Sequence, residues 1–428
     1  MPKLLSPEEF VLLKQCDAET ELEENEVVGS LITRGLIRKS DVGDKLSDWQ
    51  KYRICDNPVF PYITLEITEK CNFNCLHCFA AADNNALNAE MSYENILLIL
   101  DQAVECGIQA VKITGGEPML HPDFVRIMDA IYARGMWVFQ INTNGYFLRQ
   151  KIIDHLKQYP VWPLIKISYD GIGCHDTMRG VKGIEQHTLD AIKRSVDSGF
   201  RTMVTITVNR KNIDVVTPTL EMLEKLGVNS VWIVRTIEAP RWEGNADDET
   251  LNWTEYYSES LKIIEQYVKT EHDMELFFWS FVELNAKEKK YSFHHVKSNP
   301  EKFKPGIPLC RGCYGDVAVS ASGTLYPCLQ MSGYFKAHGM VMENALEKPL
   351  AELLKDSEYV KIARMRVDEK TECKDCKFFR TCAGGACMCT AYLTGGNFAS
   401  KNEPACIFFN DEWNMKLDQV LKGWKYSD

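Results

Sequence analysis

Thr68-Glu69-Lys70-Cys71-Asn72-Phe73-Asn74-Cys75-Leu76-His77-Cys78 is the stretch that decides how this chain is read. Its cysteines are spaced Cys-x3-Cys-x2-Cys. Three thiolates on one short loop can hold three irons of a [4Fe–4S] cube and leave the fourth iron open. An open iron can bind a substrate or cofactor, so the cluster becomes a reaction centre and not only an electron carrier. Structural zinc is the competing reading. Zinc sites usually pair two short Cys-x2-Cys hooks, and the first spacing here has three residues. His77 alone proves nothing, because a His beside Cys can simply pack or ligate.

About forty residues on, the apolar run Ala110-Val111-Lys112-Ile113-Thr114 leads directly into Gly115-Gly116-Glu117-Pro118. Two glycines let backbone approach a ligand closely. Glu117 offers a carboxylate to an ammonium group, and Pro118 fixes the chain direction. With the cysteine loop before it, this segment resembles the radical S-adenosylmethionine enzymes. The resemblance implies that Cys71, Cys75 and Cys78 hold a cluster whose open iron is chelated by the cofactor's methionine part. It implies that Gly115, Gly116, Glu117 and Pro118 receive the cofactor's amino group and that His77 lies near the adenine. The implied chemistry is reductive cleavage to a 5′-deoxyadenosyl radical, which takes a hydrogen atom from the substrate.

Strand-like runs recur at Tyr62–Ile67, Ala110–Thr114, Trp137–Asn142, Leu164–Tyr169, Thr202–Val208 and Ser230–Val234. Intervening stretches such as Tyr93–Glu105 and Phe124–Arg134 space their apolar residues by three and four. Alternation of this kind predicts an α/β chain with a parallel sheet. The resemblance implies a partial (β/α)6 barrel. The cysteine loop, Gly115–Pro118, Thr143-Asn144-Gly145 and Ser168-Tyr169-Asp170-Gly171 all follow the ends of such runs, on the face where barrel enzymes place their chemistry. By resemblance, Ser168 holds a polar part of the cofactor and Arg179, in His175-Asp176-Thr177-Met178-Arg179, pairs with its carboxylate. A loop-stabilising ion pair between Asp170 and Arg179 is the alternative. Asn144, before a glycine, reads as a turn residue or a ligand.

Nine of the sixteen cysteines lie from Cys310 onward. Their order resembles the SPASM domain, a C-terminal extension of some radical S-adenosylmethionine enzymes that carries two auxiliary [4Fe–4S] clusters. The resemblance implies one cluster on Cys310, Cys313, Cys328 and Cys387, and another on Cys373, Cys376, Cys382 and Cys406. Together with the first cluster that makes three, with S-adenosylmethionine as cofactor. The chain departs from the family pattern. Four residues, Ala383 to Ala386, separate Cys382 from Cys387 where three are common, the Cys310–Cys313 gap is short, and the surplus Cys389 could replace Cys387. Nine soft ligands would also suit zinc. Ala318-Val319-Ser320 and Thr324-Leu325-Tyr326 around Gly323 read as a hairpin.

The expected organisation is a helical, winged-helix-like module over residues 1–55 and the partial barrel over 56–240. A connecting segment over 241–305 and the Cys-rich C-terminal domain over 306–428 complete it. Ser6-Pro7-Glu8-Glu9 is a capping box, and a second helix is expected over Glu24–Thr33. This pair resembles part of the winged-helix leader-peptide recognition elements of ribosomal-peptide biosynthesis, with a purely packing role as the alternative. Asn252-Trp253-Thr254-Glu255 reads as a cap before a helix over Tyr256–Val268. Trp242, Trp253, Phe277, Phe278 and Trp279 read as core or as the lining of a cleft, and His294 and His295 as surface or core.

Net charge is −11 (49 basic minus 60 acidic residues), which argues against a nucleic-acid surface. No run of about 18 apolar residues marks a membrane span. Met1-Pro2-Lys3-Leu4-Leu5, with Glu8 and Glu9 close behind, does not read as a signal peptide. A cytoplasmic location is expected, where sixteen cysteines suit cluster ligation better than disulfides. The leading functional reading is a radical enzyme that modifies a ribosomally made precursor peptide, forming a thioether or carbon–carbon crosslink. Its partners would be that peptide and a reducing donor such as flavodoxin or ferredoxin. The alternatives are an anaerobic sulfatase-maturing enzyme and an iron–sulfur electron-transfer protein.

Overall fold

Alternation of apolar and polar residues along the central strands determines the architecture. The computed structural model describes residues 5–427 except 42, 47–59, 84, 86–87, 238–239, 244–247, 297–299, 305 and 386. The boundary expected between residues 55 and 56, and Ala386 in the Cys382–Cys387 spacing, lie outside the described residues.

Twelve strands form one mixed sheet: β1 (Tyr62–Glu66), β2 (Ala110–Thr114), β3 (Trp137–Thr143), β4 (Leu164–Ser168), β5 (Thr202–Val208), β6 (Ser230–Arg235), β7 (Glu275–Phe278), β8 (Val282–Asn285), β9 (Lys290–Phe293), β10 (Asp316–Val319), β11 (Leu325–Tyr326) and β12 (Lys425–Tyr426). Their order is β11-β10-β1-β2-β3-β4-β5-β6-β7-β8-β9-β12. The run from β10 through β1 to β7 is parallel throughout. Its two ends are not paired to each other, so the six expected β/α units make an open, partial barrel.

Each strand buries one face under helices. In β4, Ile165 and Ile167 are fully covered, while Lys166 and Ser168 on the other face are only partly covered. β5 repeats the pattern, with Val204 and Ile206 on the covered face and Thr205 and Thr207 opposite. The outer helices meet the covered face with their apolar stripes. The helix Tyr93–Glu105, capped by Ser92, buries Ile96, Ile99, Leu100 and Ala103. The opposite faces carry polar residues that line a cavity, among them Gln140, Asn142, Lys166 and Thr205.

The segment over residues 241–305 does more than connect. Its helix Trp253–Tyr267 starts at an Asn252–Glu255 capping box. Three further strands, β7 to β9, then extend the sheet, the last two antiparallel. The helix starts three residues earlier than expected, because Asn252 itself is the cap. Trp242 and Phe278 are core residues, whereas Trp253 and Trp279 are buried yet border a cavity. His295 is core, held by the Tyr257 hydroxyl at 2.9 Å.

β10 and β11 form the expected hairpin about Gly323, and β10 adds in parallel to the free edge of β1. The C-terminal domain is thereby built onto the barrel edge beside the cysteine loop. Near the N-terminus the helices Pro7–Leu13 and Glu26–Thr33 are capped by Ser6 and Asn25 and tied by an Arg34–Glu9 ion pair. The described residues between 5 and 46 hold these two helices and no strand. None of the described helices is long and apolar enough to cross a membrane.

Candidate active site

The cysteine loop leaves β1 at the C-terminal end of the parallel strands. Cys71, Cys75 and Cys78 line one cavity of about 320 Å³, together with His77, Gly115, Gly116, Asn144, Ser168 and Arg179. Nine of the eleven expected radical-centre and cofactor positions thus converge on a single space. Glu117 and Pro118 do not line it.

The loop is held by backbone. Gly116 N donates to Thr68 O at 2.7 Å and Glu117 N to Lys70 O at 2.9 Å, so the Gly-Gly segment lies against the start of the cysteine loop. A Cβ on Gly115 would sit 2.5 Å from Thr68 O, and one on Gly116 only 2.6 Å from the Lys70 carbonyl carbon. Neither neighbour is a flexible side chain. Gly116→Ala is therefore expected to lower the melting temperature, with a loss of about 1–3 kcal/mol, and to weaken S-adenosylmethionine binding. Thermal denaturation and calorimetric titration check both effects.

Glu117 turns away from the cavity. It accepts from Thr143 Oγ1 at 2.9 and 3.0 Å, from Asn144 N at 2.7 Å and from Met119 N at 3.2 Å. Burial pushes its carboxyl up to about 7, against the pull of these donors. The Glu117 carboxyl is thus engaged by Thr143, Asn144 and Met119. Its carboxylate fixes Thr143-Asn144, and Asn144 Nδ2 reaches Asn72 Oδ1 at 2.9 Å and Cys71 Sγ at 3.9 Å. Pro118 is buried at the start of a 3-10 turn.

Arg179 is already paired. Its Nε lies 2.7 Å from Asp170 Oδ2, and its Nη2 donates to Asp170 Oδ1 at 2.9 Å. Nη1 points to Cys75 Sγ at 3.7 Å. Asp170 also faces His77 at 3.8 Å and His175 at 4.0 Å. Burial works to raise the Asp170 carboxyl, but Arg179 and the two imidazoles hold it below the usual carboxylate range. Burial brings His77 down to about 4, so its ring is neutral where it borders the cavity. Arg179 therefore borders the cavity while paired to Asp170.

The C-terminal cysteines fall into two groups. In the first, Cys389 lies within hydrogen-bonding reach of Cys313, Cys328 and Cys387, and Cys310 reaches Cys313. Five thiols therefore share a place where four were expected, and Cys389 is central to it. In the second, Cys373, Cys376, Cys382 and Cys406 line one small cavity with Phe378 and Phe409.

The donor sets suit iron–sulfur clusters. All are thiols, the soft donors such clusters require. Burial pushes Cys71 and Cys382 up to about 12, so each becomes a thiolate only beside a compensating cation. Residues that the sequence reading passed over also line the cavity, notably Lys166, Gln140 and Trp232. The signal was present as single polar residues alternating with Ile and Val in β3, β4 and β6.

Comparison with known proteins agrees with this arrangement. A sequence profile of the radical SAM superfamily matches residues 65–226, and one of the SPASM iron–sulfur cluster-binding domain matches residues 301–377. The chain is 26% identical over 356 residues to the AdoMet-dependent heme synthase of Methanosarcina barkeri, covering 81% of this chain and 96% of that protein. It is 23% identical to the antilisterial bacteriocin subtilosin biosynthesis protein AlbA of Bacillus subtilis, covering 79% and 69%. Its fold is similar to that of Streptococcus suis SuiB bound to precursor peptide SuiA, with a TM-score of 0.64 at 15% identity, covering 89% and 86%. The chain therefore carries a radical SAM domain over residues 65–226 and a SPASM iron–sulfur cluster-binding domain over residues 301–377.

Proposed function

We propose that this protein modifies a ribosomally made precursor peptide, joining two of its residues by an oxidative thioether or carbon–carbon crosslink. The observation that carries the reading is a pair of adjoining cavities. The radical cavity shares Arg235 and Ile237 with a second cavity of about 540 Å³, walled by Trp253 and Trp279 of the barrel side and by Leu393 and Ile407 of the C-terminal domain. Two adjoining cavities of this kind suit an extended chain with one residue at the reacting end. The likenesses to AlbA and to SuiB with its precursor peptide support the same substrate class.

When bound, a reduced cluster and S-adenosylmethionine supply hydrogen-atom abstraction. Cys71, Cys75 and Cys78 would hold that cluster. Gly115 and Gly116 would present backbone to the cofactor, while His77, Asn144, Ser168 and Arg179 border the same space. The Asp170–Arg179 pair fixes the wall beside Cys75, and Glu117 fixes the Asn144 loop. Two auxiliary clusters on the C-terminal thiols would accept the electron that a crosslink releases.

The test is incubation of reconstituted enzyme with a short precursor encoded beside its gene, S-adenosylmethionine and a reductant. The expected product has lost two hydrogens per crosslink, with 5′-deoxyadenosine formed in step. A tetrapyrrole substrate is the second reading, favoured by the likeness to heme synthases along most of their length. Consumption of a porphyrin with no change in any precursor peptide would replace the first reading by the second.

A further inference from the structure

Four cationic side chains reach into the concave face or its rim, and their partners differ. Arg235 of β6 lines the cavity, donates to the carbonyl oxygens of Leu251 and Thr236, and lies over the Trp253 ring. Lys112 of β2 is bound to Asp316 at 2.7 Å. Arg179 is bound to Asp170. Lys166 of β4 has no carboxylate within ion-pairing distance among the described residues, and the charged neighbour that acts on it is Lys112, another cation. Its ammonium lies 3.5 Å from the centroid of the Trp232 ring. Both Lys166 and Trp232 line the radical cavity.

An ammonium in this position is poorly compensated. A cation held over an aromatic face gains some attraction from the ring. That attraction does not replace a counter-ion when a second lysine stands nearby. Burial and Lys112 together bring Lys166 down to about 7. Its strand neighbours add only neutral polar groups to the lining: Asn142, opposite it in register on β3, and Gln140. A small anionic group would complete the site, and Ser168, two residues on along the same strand, connects it to the cofactor end. A carboxylate is the anion that a peptide supplies.

We propose that Lys166, backed by the Trp232 ring, seats a carboxylate of the substrate in the radical cavity and so selects which residue is presented for reaction. The proposal rests on the peptide reading for the source of that carboxylate, an acidic side chain. A porphyrin propionate offers the same group, and the experiment separates the two sources.

Binding is measured on reconstituted enzyme carrying its clusters and S-adenosylmethionine, for wild type, Lys166→Met and Lys166→Arg. The probes are the blocked tripeptides acetyl-Ala-Glu-Ala-amide and acetyl-Ala-Gln-Ala-amide, and coproporphyrin III against its tetramethyl ester. Iron content and S-adenosylmethionine affinity of each variant show that it is folded and loaded. The wild type is expected to prefer the Glu tripeptide over its Gln counterpart about tenfold or more. Lys166→Arg should keep a preference and Lys166→Met should abolish it. A carboxylate preference seen only with the porphyrin, and lost in Lys166→Met, would uphold the Lys166 site while overturning the peptide reading. No carboxylate preference with either probe pair, or one that survives in Lys166→Met, would overturn the site itself.

Discussion

Changing Cys71, Cys75 and Cys78 together to Ala is expected to remove about four irons per chain and to abolish 5′-deoxyadenosine formation. Anaerobically purified wild type should hold about twelve irons, and the variant about eight. The argument is the separation of the thiol sets. The three cysteines line the barrel cavity, while the other nine belong to a domain built on β10 and β11 and line their own places. Loss of the first set should leave the second intact. Cys71 and Cys75 are buried beside Phe73 and Ala82, and Ala is only slightly smaller than Cys, so the loop keeps most of its packing. Iron and sulfide analysis decides between outcomes. About four irons, all lost in the variant, would leave one cluster and return the C-terminal thiols to zinc as the first alternative. About twelve irons in both proteins would remove the three cysteines from the ligand set.

Much of this was legible because local and global signals agree. The strand runs read from the sequence match β1 to β6 within a residue or two, since each has a largely apolar face and is flanked by Gly, Asn, Asp or Pro. The cysteine loop, Gly115–Gly116, Asn144 and Ser168 could be placed together because all follow strand ends. Three things were hidden for physical reasons. The direction of Glu117 depends on Thr143, twenty-six residues away, and no local pattern encodes that contact. The crowding of Cys389 against Cys313, Cys328 and Cys387 follows from tertiary packing, where the resemblance pointed to Cys387 and left Cys389 as a possible replacement. The strands β7 to β9 are four residues each, too short for periodicity to mark against the surrounding aromatics.

The other large effect is expected at the buried pair beneath the cysteine loop. Asp170→Asn should destabilise the protein by about 3–5 kcal/mol, because it leaves the Arg179 guanidinium buried without its counter-ion. Asp170 is fully buried and Arg179 is 7% exposed, so water can replace little of what is lost. The carboxylate also accepts from Thr207 N at 3.3 Å, and Asn212 Nδ2 holds the Asp170 carbonyl at 2.9 Å. The pair therefore ties β4, β5 and the helix His175–Arg179 into one wall behind Cys75 and His77. Arg179→Met should be destabilising to a similar degree, since it strands Asp170 instead. Combining Asp170→Leu with Arg179→Met removes both charges, and its loss should fall well below the sum of the two single losses, as coupled partners require. Thermal and denaturant unfolding measure all of these. S-adenosylmethionine binding supplies the second readout. If Asp170→Asn unfolds within about 1 kcal/mol of wild type yet binds the cofactor more tightly, Arg179 is not committed to Asp170. It would then be free to meet the cofactor carboxylate, and the positioning role assigned to the pair would fail. Near-additive single losses would also break the claim, because they would show that the two charges stabilise the fold through separate partners.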